Sequence, residues 1–583
     1  MKQFLKYTLA TLCGLLLFGL LQVVFFFTFI GAIAGMSETT TVLEGYSVYH
    51  IRLTGTLSER VADDTFMSLL SQASGQETPQ QLGLDDLLRN IRLAKENDNI
   101  TGIYLEGGNL SAGYASLQEL RHALQDFKES GKFVVAYADS YSQSNYYLAS
   151  VADSVYLNAH GSLSWSGLSS NVTFYSRALE KLGVEMQVVK VGTFKSAVEP
   201  YILTKMSEAN RLQMKTMLDD IWDVVTTDVA QSRHVSVEQL NYLADRYLLL
   251  RPAEEIAASG LIDSLVYEQD MTKILSDLAC FGIPDNYHLV SHSAMLKVPE
   301  AKQKYEKNKI AVIYAEGSIT DAEGDGIVGK KMVETIDKVA DKDNVKAVVL
   351  RVNSPGGSAY ASEQIWHALN LLKQKKPLIV SMGDYAASGG YYISCMADSI
   401  FLQENTLTGS IGIFGLIPNF AGLSRKLGID YDGVSTHRLG STNADMVLRG
   451  MNPEQRALMQ GEINRGYELF VSRCAEGRKM TVAEIKAIAE GRVWSGQRAI
   501  EIGLADAVGD IRTAIAAAAG KAGLETYDIV TYPKLTDDLT KLMEALSGTS
   551  VKERRLLEQL RQIEQLAEQP SLQARLPFEI SIK

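Results

Sequence analysis

The stretch GDYAASGG, residues 383–390, places one hydroxyl, Ser388, among alanines and glycines at a strand-to-helix corner. The apolar run Pro377–Val380 leads in, and a helix-like stretch, 391–397, leads out. A hydroxyl at such a corner is exposed to substrate, and small neighbours let a substrate backbone approach. The following helix turns its N-terminal N–H groups toward the site, where they favour developing negative charge. Gly356 and Gly357 follow the strand-like run VVLRVN and can aim a backbone N–H with no side chain in the way. The N–H groups of Gly357 and Gly389 together would make an oxyanion hole, each donor worth about 3–4 kcal/mol of barrier. The structural alternative is a tight turn with a helix-capping serine.

A serine needs a group to take its proton. His437 is the only histidine after Ser388, and no pattern supports it as that group. The stretch VVKVGTFKSAVEP, residues 188–200, offers Lys195 instead, with Val188, Val189, Val191, Phe194 and Val198 around it. A lysine acts as a base only when neutral, and full burial depresses its pKa by up to about 3–5 units. Ser196, next in the chain, is placed to orient the amine.

These residues sit in a chain that repeats itself. DNITGIYLEGGNLSAGYASLQELRHAL from Asp98 matches DNVKAVVLRVNSPGGSAYASEQIWHAL from Asp343 at an offset of 245, and the match runs ungapped for nearly ninety residues. VYHIRLTGTL from Val48 resembles AVIYAEGSIT from Ala311 with Gly55 on Gly317, an offset of 262, so the first copy carries about 17 extra residues before Asp98, expected around SQASGQETPQQ. The copies serve as each other's control. Ser388 falls on Gln143, Gly389 and Gly390 fall on Ser144 and Asn145, and NSPGG (353–357) falls on GNLSA (108–112). The first copy keeps Tyr146, Ala152, Asp153 and Gly167 but loses the serine, its small corner and the Pro-Gly-Gly turn as a set. Conversely, Lys195 has no lysine opposite it; the second copy offers Arg438 to Gly440 there, with the alignment depending on a two-residue indel.

Each copy alternates apolar, β-branched runs with amphipathic stretches, which predicts an α/β fold with parallel sheet covered on both faces. In the second copy KIAVIYAEG, VKAVVLRVN and KPLIVSMG read as strands, and VGKKMVETIDKVAD, SEQIWHALNLLKQ and GGYYISCMA as helices. The segment 297–308 reads as a linker and 536–583 as a helical tail. Thr408 to Phe420 reads as a wall of an apolar groove, or equally as core or an oligomer contact.

The net charge of −12 argues against nucleic-acid binding. Four cysteines without C-x-x-C spacing and eight histidines without ligand spacing imply no disulfide framework, no metal and no cofactor. From Tyr7 to Met36 no residue is charged, which is enough to cross about 30 Å of hydrocarbon. Lys2 and Lys6 precede this run and Glu38 follows, so an uncleaved anchor with a cytoplasmic N-terminus, 1–6, is expected. A cleavable signal peptide ending near Ala32-Ile33-Ala34 is the competing reading.

NSPGG, GDYAASGGYYIS and GTFKSAVEP, in tandem behind one apolar segment, resemble the signal peptide peptidase A (protease IV) family in its long two-domain form, over about Gly45 to Tyr532. The resemblance implies tandem ClpP/crotonase-like domains, 45–296 and 309–535, behind one transmembrane helix, 7–36. It places the nucleophile on Ser388 and the general base on Lys195, on opposite copies. It further implies a homotetramer on the periplasmic side of a bacterial inner membrane, with cleaved signal peptides as substrates. Duplication favours a dyad formed within one chain. A crotonase-type acyl-thioester enzyme and an inactive membrane scaffold are the alternatives.

Overall fold

The computed structural model describes parts of 3–22, then residues 40–62, 81–280, 283, 286–300, 306–324, 326–535 and 573–575. Among these described residues no helix is long and apolar enough to cross a membrane. Most of the expected anchor, including 23–36, lies outside them, as do most of the extra residues of the first copy.

Each copy builds one sheet. In the first, the strands Ser47–Ser58, Ile100–Ser111, Phe133–Tyr141 and Ser154–Leu163 lie side by side and parallel, with Ser264–Leu265 on one edge. In the second, Asp528–Tyr532, Lys309–Glu316, Val345–Ser354 and Leu378–Ala387 are also parallel, and Leu407–Gly409 continues the sheet. Val345–Ser354 and Leu378–Ala387 are buried along nearly their whole length. Their run of Val, Ile and Leu therefore lacks polar alternation, as expected of strands covered on both faces. Helices at identical offsets cover both sheets: Tyr114–Lys128 corresponds to Ala359–Lys373, and Glu208–Arg233 to Pro453–Arg478.

This last correspondence removes the expected indel. Both helices start and end 245 positions apart, so Lys195 falls opposite Gly440. The copies differ in what lies between. Glu185–Lys190 is a strand in the first copy, while its counterpart, 430–435, is an exposed loop. That strand pairs antiparallel with Phe414–Asn419 of the second copy, in register from Lys190 opposite Phe414 to Glu185 opposite Asn419. The Thr408–Phe420 segment thus serves in part as the seam between copies.

The expected helical tail needs correction. Gln573–Arg575 is a strand, antiparallel to Gly356–Ser358 on one side and to Phe414 on the other. Pro570 and Pro577 bracket it in the sequence and cannot continue a helix. The stretch 550–568, which carries the helical pattern, lies outside the described residues.

Buried polar contacts hold the copies together. Arg351 of the second copy pairs with Glu59 and Glu119 of the first, at 2.8 and 2.7 Å. Asp384 accepts hydrogen bonds from the N–H and hydroxyl of Ser116, at 2.9 and 2.6 Å. Gln213 accepts from the Val493 N–H at 3.4 Å, and Asp220 accepts from Ser495 and Arg498. Removing one partner from a buried ion pair typically costs about 3–5 kcal/mol. The segment carrying Lys195 is pressed against the turn Glu490–Gly491: the Phe194 N–H donates to the Glu490 carbonyl at 3.0 Å, and a Cβ on Gly491 would lie 2.6 Å from Cβ of Lys195. Gly491 also has φ +76°. Gly491→Ala combines backbone strain with a clash, so we expect a loss of about 1–3 kcal/mol in denaturant unfolding.

Candidate active site

Ser388 ends the strand Leu378–Ala387 and immediately precedes the helix Gly389–Tyr392. Its backbone has φ 56° and ψ −113°, a conformation a non-glycine residue rarely adopts. The corner is held by the Ser388 N–H donating to the Gly409 carbonyl at 2.8 Å, and by its carbonyl accepting from Tyr392 N–H at 2.8 Å. The side chain makes no capping hydrogen bond to the helix. It is turned instead toward Lys195, whose Nζ lies 2.8 Å from Ser388 Oγ. This geometry disposes of the helix-capping alternative.

Both residues are fully buried. Burial holds the Lys195 amine well below the usual lysine pKa, and no charged group offsets that effect. The amine has two further neighbours, the carbonyl of Ser410 at 3.1 Å and its Oγ at 3.0 Å. The Ser410 hydroxyl can donate to the Gly491 carbonyl, 3.3 Å away, leaving its oxygen free to accept. A neutral amine has two hydrogens and one lone pair. In the neutral form, giving both hydrogens to the two Ser410 oxygens would turn the lone pair to the Ser388 hydroxyl. The arrangement can withdraw a proton from Ser388 as its oxygen attacks.

Sequence reasoning missed Ser410 and misjudged Ser196. Ser196 Oγ faces Asn210 Oδ1 at 2.9 Å and Gln213 Nε2 at 2.8 Å, away from the amine. Its network, which includes Glu199 and Ser207, fixes the lysine-bearing loop on helix Glu208–Arg233. The reason is local: Lys195 and Ser196 lie between two turns, and Ser196 meets the helix of its own copy through Asn210 and Gln213. A signal for Ser410 did exist. At the repeat offset of 245 it falls on Trp165, a large, fully buried residue.

Gly357 lies in the short strand Gly356–Ser358, which packs against helix Gly389–Tyr392. A Cβ there would sit 1.9 Å from the Ile319 carbonyl, so this close approach admits only glycine. Gly389 opens its helix, where an N–H has no intrahelical acceptor. His437 sits on an exposed loop with its ring against Thr436. In the first copy the corresponding corner is closed. Gln143 Oε1 accepts from the N–H groups of Ser166 and Gly167, both at 3.0 Å, and Nε2 donates to Tyr114 Oη and the Gly167 carbonyl, both at 3.2 Å. Among the described residues no cluster of His, Cys, Asp and Glu could hold a metal ion.

Comparison with known proteins places the chain in a family. The family model for Peptidase family S49 matches residues 126–281 and 370–525, more than half of the 583 residues. Protease 4 of Haemophilus influenzae is 37% identical over 496 residues, covering 82% of this chain and 79% of that protein. The chloroplastic serine protease SPPA of Arabidopsis thaliana is 31% identical over 486 residues, covering 80% and 70%. Among solved structures, a point mutant of ClpP1 from Listeria monocytogenes aligns with TM-score 0.25 at 15% identity, covering 35% of this chain and 94% of that one. The chain belongs to Peptidase family S49, as a tandem of two S49 domains, and is a serine peptidase.

Proposed function

We propose that the chain is an endopeptidase with Ser388 as nucleophile and Lys195 as general base, degrading cleaved signal peptides and other apolar peptides at a membrane. The observation that carries the dyad is the 2.8 Å contact between Lys195 Nζ and Ser388 Oγ inside a fully buried site. In this reading neutral Lys195 accepts the Ser388 proton as Oγ attacks a peptide carbonyl. The N–H groups of Gly357 and Gly389 stabilise the oxyanion. The lysine then protonates the leaving amine, and water hydrolyses the acyl-enzyme.

The strand Gln573–Arg575 supports a binding mode for the substrate. It lies between Gly356–Ser358 and Phe414, with Ala574 opposite Gly357. A peptide added as a strand in that slot would present its carbonyls beside the oxyanion donor, with main-chain hydrogen bonds supplying affinity. The apolar segment 7–36 fits a membrane anchor that leaves the two domains on the periplasmic side, and a homotetramer remains part of the proposal. A crotonase-type thioester enzyme has no use for a neutral lysine against a serine, so the geometry favours the peptidase.

Three outcomes are expected. A fluorophosphonate should label the wild type, while Ser388→Ala loses both labelling and peptide cleavage and Lys195→Ala loses cleavage; a Lys195→Ala protein cleaving normally would refute the assigned base. The rate should rise with pH as the amine deprotonates, along a limb centred well below 10.5, measured as kcat/KM. Between the lowered folded pKa and that of an unfolded lysine the unfolded chain binds more protons, so stability also rises with pH. Lys195→Met removes that dependence, and its melting temperature should exceed wild type at neutral pH although it is inactive. Finally, a chain ending before residue 573 frees the slot and should show a lower KM for apolar peptides with kcat unchanged.

A further inference from the structure

We propose that Glu59, contributed by the first copy, is a positioning residue that sets the spacing between the oxyanion turn, 353–357, and the strand leading to Ser388. The inference rests on the Ser–Lys reading above and adds to it a residue which that reading does not use.

The sheet ladder has a fault beside the site. Val345–Ser354 and Leu378–Ala387 pair in regular register up to Val352 opposite Met382; the next pair is Ser354 opposite Ala386. Between these pairs one residue, Asn353, faces three, Gly383 to Tyr385. Such a bulge breaks main-chain pairing and re-aims the chain beyond it. Here it lies next to both halves of the site, since Ser388 comes three residues after Tyr385 and Gly357 four residues after Asn353.

Side chains fill the fault. Asn353 Oδ1 accepts from the Tyr385 N–H at 3.1 Å, and Asn353 Nδ2 donates to Glu59 Oε1 at 2.9 Å. The other oxygen, Glu59 Oε2, accepts from Arg351 Nε at 2.8 Å. One buried carboxylate therefore grips the oxyanion-side strand at two alternate residues, and through Asn353 it grips the nucleophile-side strand as well. Gly383 makes room for it: a Cβ there would sit 2.5 Å from Glu59 Oε1. That explains the first glycine of GDYAASGG, which the chemistry of the serine alone does not require.

Glu59 is more than a counter-ion for Arg351, because Glu119 already pairs with Arg351 Nη2 at 2.7 Å. Its second oxygen is committed to Asn353. The device is also confined to the copy holding the serine. At the repeat offsets Asn353 falls on Gly108, Arg351 on Glu106 and Glu59 on Asp321, so the first copy has neither the amide nor the guanidinium. Asp321 serves elsewhere, accepting from Ser358 Oγ at 2.6 Å.

The test uses the full chain with Glu59→Gln, Asn353→Ala and the double variant, each checked for wild-type folding by thermal melting. A loosened oxyanion turn costs transition-state binding and leaves ground-state binding intact. Glu59→Gln should lower kcat by about 10- to 100-fold with KM within twofold. The inhibition constant of a peptide aldehyde should rise by the same factor as kcat/KM falls, while that of an uncleavable peptide stays constant. The midpoint of the pH–rate limb should not move, since the Lys195 pocket is untouched. Asn353→Ala, which leaves the Arg351–Glu59 pair in place, should reproduce the loss, and the double variant should be no worse than either single one. Wild-type kcat in folded Glu59→Gln, additive losses in the double variant, or a shifted pH midpoint would each overturn the assignment. If Glu59→Gln does not fold, Asn353→Ala decides alone, and full kcat there overturns it. Failure of the Ser–Lys reading is seen separately, as cleavage surviving in Ser388→Ala.

Discussion

An ammonium ion in a dry protein interior is so unfavourable that a fully buried lysine gives up its proton. Much of the architecture around Lys195 answers to that constraint. The amine is contributed by the first copy, but the walls that exclude water belong largely to the second: Ser410, Gly412 and Gly491 lie against it. Contact between the copies is thus what buries the proposed base. The cost of holding a neutral amine is met by a complete set of hydrogen-bond partners and by the buried ion pairs and amide contacts along the seam.

Ser388, the proposed nucleophile, is treated in the opposite way. Ser388 is held in a strained backbone conformation, and the surrounding structure over-determines it through contacts at Gly409 and Tyr392. Farther back, Asp384 is fastened to Ser116 at the N-terminus of a first-copy helix, and Gly383 lies under Glu59. The corner that looks self-sufficient in one copy is in fact built against the other. Duplication here has produced complementary parts: a copy with Gln143 and Trp165 where the reactive groups would be, and a copy with Gly440 where the lysine would be.

Much of this was legible in the sequence, for a physical reason. A repeat with strict offset fixes strands and helices twice over, and positions that break the repeat stand out, as Ser388 against Gln143 does. The lysine was legible because an apolar run around a cation signals burial. Ser410 lay in TGSIGIFG, where a small polar residue among apolar ones looks like background; only the tryptophan opposite it in the repeat marks it. Ser196 was read wrongly because adjacency in sequence was taken for adjacency in space. Glu59 and Arg351 lie nearly three hundred positions apart, and two charged residues at that separation carry no mutual signal until the sheet brings them together. The strand at Gln573–Arg575 was masked by the charged helical pattern just before it.

Placing the proposed base on the earlier half has a consequence for biosynthesis. A ribosome-bound chain that has completed only its first domain presents an amine with no hydroxyl to activate and a corner plugged by glutamine. On the proposed mechanism such a chain has no way to attack a peptide while it is being made. In the proposed dyad, competence requires both domains, because the walls around Lys195 come largely from the second. The order in which the two halves are translated would then itself act as a safeguard.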